Sequence, residues 1–139
     1  MAELMDKEQV LMAYYAQYYR EASTDEVRKL DARLSEGLGE ARYAELMEEL
    51  IDEGLAIGMA EVEKREQQGS PAPMATNEGM LYINNVLNLQ SYAVEENQLD
   101  YLQNHLETSG LELTLEPVKS YIQEVIDKEA DEEPNSNRP

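Results

Sequence analysis

His105 is the single histidine of the chain, and there is no cysteine beside it. In "LQNHLE" it lies three positions from Leu102 and next to Leu106, on the border of an apolar helix face. A transition-metal site assembles several His, Cys or carboxylate ligands, and no second His or Cys exists to join it. His105 therefore reads as a structural imidazole. Carboxylates are abundant, but pairs such as Glu48 and Glu49, or Glu95 and Glu96, are sequence neighbours and point apart on a helix. Acid–base work with two carboxyl groups needs them about 5–10 Å apart across a substrate. The chain has no Asp-x-Asp-x-Asp-Gly loop for calcium, no glycine-rich phosphate loop and no Gly-x-Ser-x-Gly elbow. The expectation is a protein without catalytic residues, cofactor or metal.

What the composition does carry is charge. Thirty Asp and Glu face 11 Lys and Arg, a net charge of −19. Such a balance repels nucleic acid and anionic membrane wherever salt does not screen it. It serves solubility by coating solvated helix faces, or it attracts a basic partner. Nine Tyr with no Phe and no Trp form the whole aromatic set. Tyr suits a surface that is apolar at one end and wet at the other, which points to faces shared with a second copy of the chain.

The length of 139 residues suits one domain with an appended arm, large enough to bury a core without disulfide or metal. "MAELMDKEQV" lacks the basic and apolar regions of a signal peptide. The apolar run "LMAYYA" is far short of the roughly 20 residues that span a bilayer. A soluble cytoplasmic protein is expected.

The elements that must position any site are mostly helical. In "DKEQVLMAYYAQYYREA" Leu11, Tyr14, Tyr15 and Tyr18 share one helical stripe, with Met12 and Tyr19 as apolar surplus. Ser23 and Glu26 form a capping-box pattern that opens a second helix, which turns Val27, Leu30 and Leu34 inward and closes at Gly37. A third helix carries Tyr43, Leu46, Met47, Leu50 and Ile51 as its inward ridge and stops at Gly54. "LAIGMAEVEKREQ" reads as a strand running into a polar hairpin, "EKREQQGSPAP", with a short return over residues 73–75. Thr76 caps a fourth helix bearing Met80, Ile83 and Leu87. Leu99, Leu102 and Leu106 mark a fifth. The last helix has Pro117 in its first turn and Leu115, Val118, Ile122, Val125 and Ile126 along one stripe. The ending, "DEEPNSNRP", reads as a disordered acidic tail.

Leu50, Gly54 and Leu55 in "LMEELIDEGLAIG", with Thr76, Gly79, Tyr82 and Ile83 in "MATNEGMLYI", resemble the step into and out of the wing of winged helix-turn-helix proteins. Over residues 6–88 the chain is most similar to the small YjcQ-like winged-helix proteins of Gram-positive bacteria and their phages. The resemblance implies a mainly α (α+β) fold. A winged-helix domain with a small β-hairpin wing would occupy residues 1–90. A C-terminal helical extension would follow over 91–130, with the tail at 131–139. In related regulators such an extension makes a homodimer; here Met12, Tyr19, Leu99, Leu102, Leu106, Val118, Ile122 and Val125 would supply the contact.

The resemblance also implies a DNA-binding transcription regulator, and the residues themselves oppose simple inheritance of that role. Opposite the ridge of the third helix lie Ala41, Ala44, Glu45, Glu48 and Asp52, with Arg42 as the one cation. Tight DNA binders neutralise about 6–10 phosphates. Any DNA contact would have to come from Lys64 and Arg65 on the wing, from Arg28, Lys29 and Arg33 on the second helix, and from Arg42. Those cations have acidic neighbours close enough for salt bridges, a second reading of the same residues. The alternative function is a protein-interaction module whose face Glu45, Glu48 and Asp52 docks a basic partner, including the special case of a DNA mimic.

Overall fold

The structure is a computed structural model that describes residues 5–21, 23–87 and 113–136. Its elements are helices α1 (Asp6–Arg20), α2 (Thr24–Leu38), α3 (Glu40–Asp52), α4 (Met59–Gln67), α5 (Asn77–Leu87) and α6 (Glu116–Ser136). Among the described residues there is no strand or sheet, only a single antiparallel bridge between Ala56 and Ala75. The α+β winged-helix expectation is corrected accordingly: the wing is missing, and a helix stands in its place.

The reason is local. In "MAEVEKREQ" every residue but Val62 is unbranched at Cβ, and long straight side chains lose little freedom in a helix. Glu61 sits in the first turn and Lys64 and Arg65 in the last, matching the helix dipole, and Arg65 Nε donates to Glu61 Oε2 at 2.8 Å across one turn. Val62, fully buried, is the anchor that holds α4 to α2. Apparent alternation around one buried valine was the surface of a short helix.

Helix α1 lies at the centre, packed by α2, α3, α5 and α6. Every residue from Gln9 to Gln17 is buried, so the apolar surplus at Met12 is consumed within one chain. A helix that is hydrophobic all round is one that is surrounded. This corrects the dimer contact. Met12, Val118, Ile122 and Val125 are all buried in the chain's own core, and Tyr19 packs against it half-buried. Leu99, Leu102 and Leu106 lie outside the described residues, as do His105, Glu95 and Glu96. Two inward assignments are corrected as well: Tyr18 and Ile51 are exposed, each at the edge of its helix stripe.

The tyrosines anchor by their hydroxyls. Tyr43 donates to Asp31 Oδ1 at 2.8 Å, and since its one proton is spent there, Tyr14 donates to Tyr43 across 2.5 Å. Tyr15 donates to Asn84 Oδ1 at 2.6 Å and Tyr82 to Glu8 Oε2 at 2.6 Å. Four tyrosines thus tie α1 to α3 and α5, and α3 to α2, through their hydroxyls.

These pins depend on protonated phenols. Burial pushes the Tyr14 and Tyr43 hydroxyls well up, and the bond to Glu8 raises Tyr82 to about 12. Burial, then nearby Glu26, raises Tyr121 to about 12. A phenol raised in the fold stabilises it fully below its unfolded value of about 10 and loses that contribution as pH climbs through the folded value. Stability is therefore expected to hold up to about pH 10 and fall steeply between about pH 10 and 12. Urea unfolding across that range checks it, and Tyr82→Phe should shallow the slope.

Helix α6 belongs to the core. Gln9, buried on α1, accepts from the backbone N–H of Thr114 and of Leu115, both at 2.8 Å, and donates through Nε2 to Thr114 Oγ1 at 2.8 Å. One side chain thereby caps the entry to α6. Gly37 leaves room for Pro117: a Cβ there would stand 2.5 Å from the proline Cγ. So Gly37 is a packing residue, and α2 runs on to Leu38, with Gly39 at φ 92° as its cap. At the far end α6 continues to Ser136, through residues 131–136 of the expected tail.

Candidate protein-interaction surface

The joint between α3 and α5 sets the attitude of α3. Gly54, at φ 77°, lets the chain leave α3 in a left-handed turn: Gly54 N donates to Ile51 O and Leu55 N to Leu50 O, at 3.0 and 2.8 Å. Thr76 then closes the joint. Its hydroxyl donates to Gly54 O at 2.7 Å and accepts from Gly79 N at 3.0 Å, capping α5. The residues of the two quoted patterns, Leu50–Leu55 and Thr76–Ile83, thus meet in one junction, without a hairpin between them.

From this joint α3 packs against α1 and α2 through Tyr43, Leu46, Met47 and Leu50, all buried. Its outer side carries Ala41, Ala44, Glu45, Glu48, Glu49 and Asp52, all exposed. Ile51, 42 % exposed, borders them and touches the Gly58 turn. Glu45 is held at 3.2 Å by Arg42, and Glu53 at the helix end by Lys7 at 2.7 Å. Glu48 and Asp52 make no ion pair among the described residues.

Five of the six cations expected to contact DNA are engaged in ion pairs. Arg28 spans from Asp25 on its own helix (2.7 Å) to Glu63 (3.4 Å) and Glu66 (3.0 Å) on α4. Lys29 pairs with Glu26 at 3.2 Å. Arg33 turns toward α6, meeting Glu124 at 2.5 Å and Ser120 at 3.0 Å while its guanidinium lies 5.4 Å over the Tyr121 ring. Arg42 reaches back to Asp6 at 2.8 Å, and Arg65 to Glu61 at 2.8 Å. Hydrogen bonds to these carboxylates hold the guanidinium groups of Arg28, Arg33 and Arg42 above their usual range. Lys64 is exposed on α4 and makes no ion pair among the described residues.

No protein-family model, curated protein or solved structure matches this chain.

Of the six cations expected to contact DNA, five are held in intramolecular ion pairs. Arg28 and Arg33 act as braces between helices, Arg42 ties α3 to α1, and the pair at 64–65 rides on a helix where a wing was expected. Among the described residues no cluster of His, Cys, Asp and Glu is placed to hold a metal ion, and no helix is long and apolar enough to cross a membrane. Ile51 as part of the outer face escaped sequence reasoning, because it completes the inward spacing of Tyr43 and Met47 as well as any core residue.

Proposed function

We propose that the chain is a non-enzymatic protein-interaction module that docks a basic partner on the outer face of α3. The observation that carries this reading is an asymmetry of pairing. Arg42, the one arginine on α3, is spent in ion pairs with Asp6 and Glu45, while Glu48 and Asp52 are exposed and make no ion pair among the described residues. Exposed pairs of this kind stabilise a fold only slightly, so their main effect is on the field the surface presents. Here that field is negative, with a net charge of −19 behind it. Ile51 adds an apolar contact at the edge, which suits a partner whose basic residues surround an aliphatic side chain.

A synthetic peptide of Arg and Leu is the defined probe. Glu45→Gln with Glu48→Gln and Asp52→Asn is expected to weaken its binding by roughly tenfold at low salt, chiefly through a slower association rate. The same number of neutralised acids on α4 (Glu61, Glu63 and Glu66) should change it less than threefold. Equal losses from both sets would mean that bulk charge alone attracts the probe, and the α3 assignment would fall.

A further inference from the structure

Residues 58–73 leave the joint between α3 and α5 and return to it as one excursion. Its neck is closed by backbone: Ile57 N donates to Met74 O and Thr76 N to Leu55 O, both at 3.0 Å, around the Ala56–Ala75 bridge. Beyond the neck, α4 begins after Gly58 (φ 85°) and the chain turns back at Gly69 (φ 80°). Among the helices, α4 packs chiefly against α2. Val62 is its one fully buried residue, Met59 is half-buried, and residues 64–67 are exposed. The return limb leaves a cavity of about 210 Å³ between Pro71, Ala72 and Pro73 on one side and Tyr18, Thr24 and Val27 on the other. One polar clamp crosses the seam. Arg28 on α2 reaches Glu66 at 3.0 Å and Glu63 at 3.4 Å, with Asp25 of its own helix at 2.7 Å. None of these four side chains is buried, so salt competes with the pairs.

We propose that residues 58–73 form a flap that lifts from α2 about its closed neck, and that Arg28 is the latch whose hold weakens as salt rises. Opening the flap gives up one buried valine and the two pairs that Arg28 makes to α4. Opening α1, α2 or α3 breaks the shared core instead, so the flap belongs to the low-stability end of the fold. The two respond to salt with opposite signs. At a net charge of −19 the whole fold repels itself, and salt relieves that repulsion. At the latch, three carboxylates converge on a guanidinium, and salt weakens the attraction. Rising ionic strength therefore tightens the core while it frees the flap. Lifting uncovers Val62 and opens the cavity beside Val27 to solvent.

The chain has no cysteine, so Val62→Cys supplies a single reporting thiol, and Val10→Cys, equally buried on α1, supplies its control. Alkylation by neutral iodoacetamide, relative to the same chain unfolded, is expected to be at least tenfold faster for Val62→Cys. Between about 0.01 and 1 M NaCl the reach of a charge falls from about 30 to about 3 Å, near the length of the Arg28 contacts. Over that range Val62→Cys should react at least threefold faster and Val10→Cys no faster. Adding Arg28→Gln should speed Val62→Cys about tenfold at low salt and remove the acceleration by salt. Hydrogen exchange of the unsubstituted chain checks that the thiol has not loosened the flap. The α4 amides should exchange before those of α1 and sooner at high salt, while Ile57 and Thr76 stay as protected as α1. Matched rates at the two thiols, or slowing of Val62→Cys by salt, would overturn the flap. Exchange of Ile57 and Thr76 together with α4 would show that the joint itself opens, and would overturn it as well.

Discussion

Gly79→Ala is expected to lower stability by about 3 kcal/mol or more, toward the upper end of the cost of overpacking. A methyl group at this position would collide with the Leu55 carbonyl oxygen and press on Leu11 Cδ1. The carbonyl cannot swing aside, because it accepts the Thr76 N–H at 3.0 Å, and Leu55 is itself tied to Leu50 through the turn that ends α3. The whole α3–α5 junction would have to open. Gly69→Ala is the control: its φ is +80° but nothing crowds it, so only the left-handed penalty of about 1–2 kcal/mol applies. Urea denaturation of both variants checks the claim. A Gly79→Ala loss no larger than that of Gly69→Ala would contradict the described junction.

Gln9→Leu is expected to cost about 2–6 kcal/mol, because it leaves the N–H groups of Thr114 and Leu115 without their acceptor, at about 1–3 kcal/mol for each group left unsatisfied. The effect should be uneven. Amide hydrogen exchange in α6 is predicted to accelerate more than in α2 or α3, since the lost bonds are those that seat α6 on α1. Gly37→Ala should reproduce the pattern from the other side, by pushing Pro117 away from α2. Uniform acceleration across all helices would show that the clamp is not local to α6.

The helices were legible where one stripe faces one core. Val27, Leu30 and Leu34 on α2, and Tyr43, Leu46, Met47 and Leu50 on α3, have the spacing and the burial expected of them. The central place of α1 was less visible, because periodicity reports one face and α1 is covered on all of them; Gln9 and Gln17 break the apolar pattern while being buried. Residues 59–67 show the opposite failure. A short polar helix with Val62 as its one fully buried residue has too few apolar positions to display a period of 3.6, so turn-forming Gly69, Pro71 and Pro73 after it suggested a hairpin. The junction residues were found as patterns, but their geometry belongs to a helical joint. Of the candidate site, the carboxylates outside α3 followed from its stripe, whereas the engagement of Arg28, Arg33 and Arg42 depends on which helices end up adjacent.

The proposed docking surface favours basic partners and rejects polyanions, because Arg28, Arg33 and Arg42 are already matched by carboxylates. Retention of mixed duplex DNA by the chain, measured beside the Arg–Leu peptide at low salt, tests it most directly. No DNA retention is expected, and peptide binding should weaken as salt is raised. Tight DNA retention with a steep salt slope, lost in Lys64→Glu with Arg65→Glu, would contradict it.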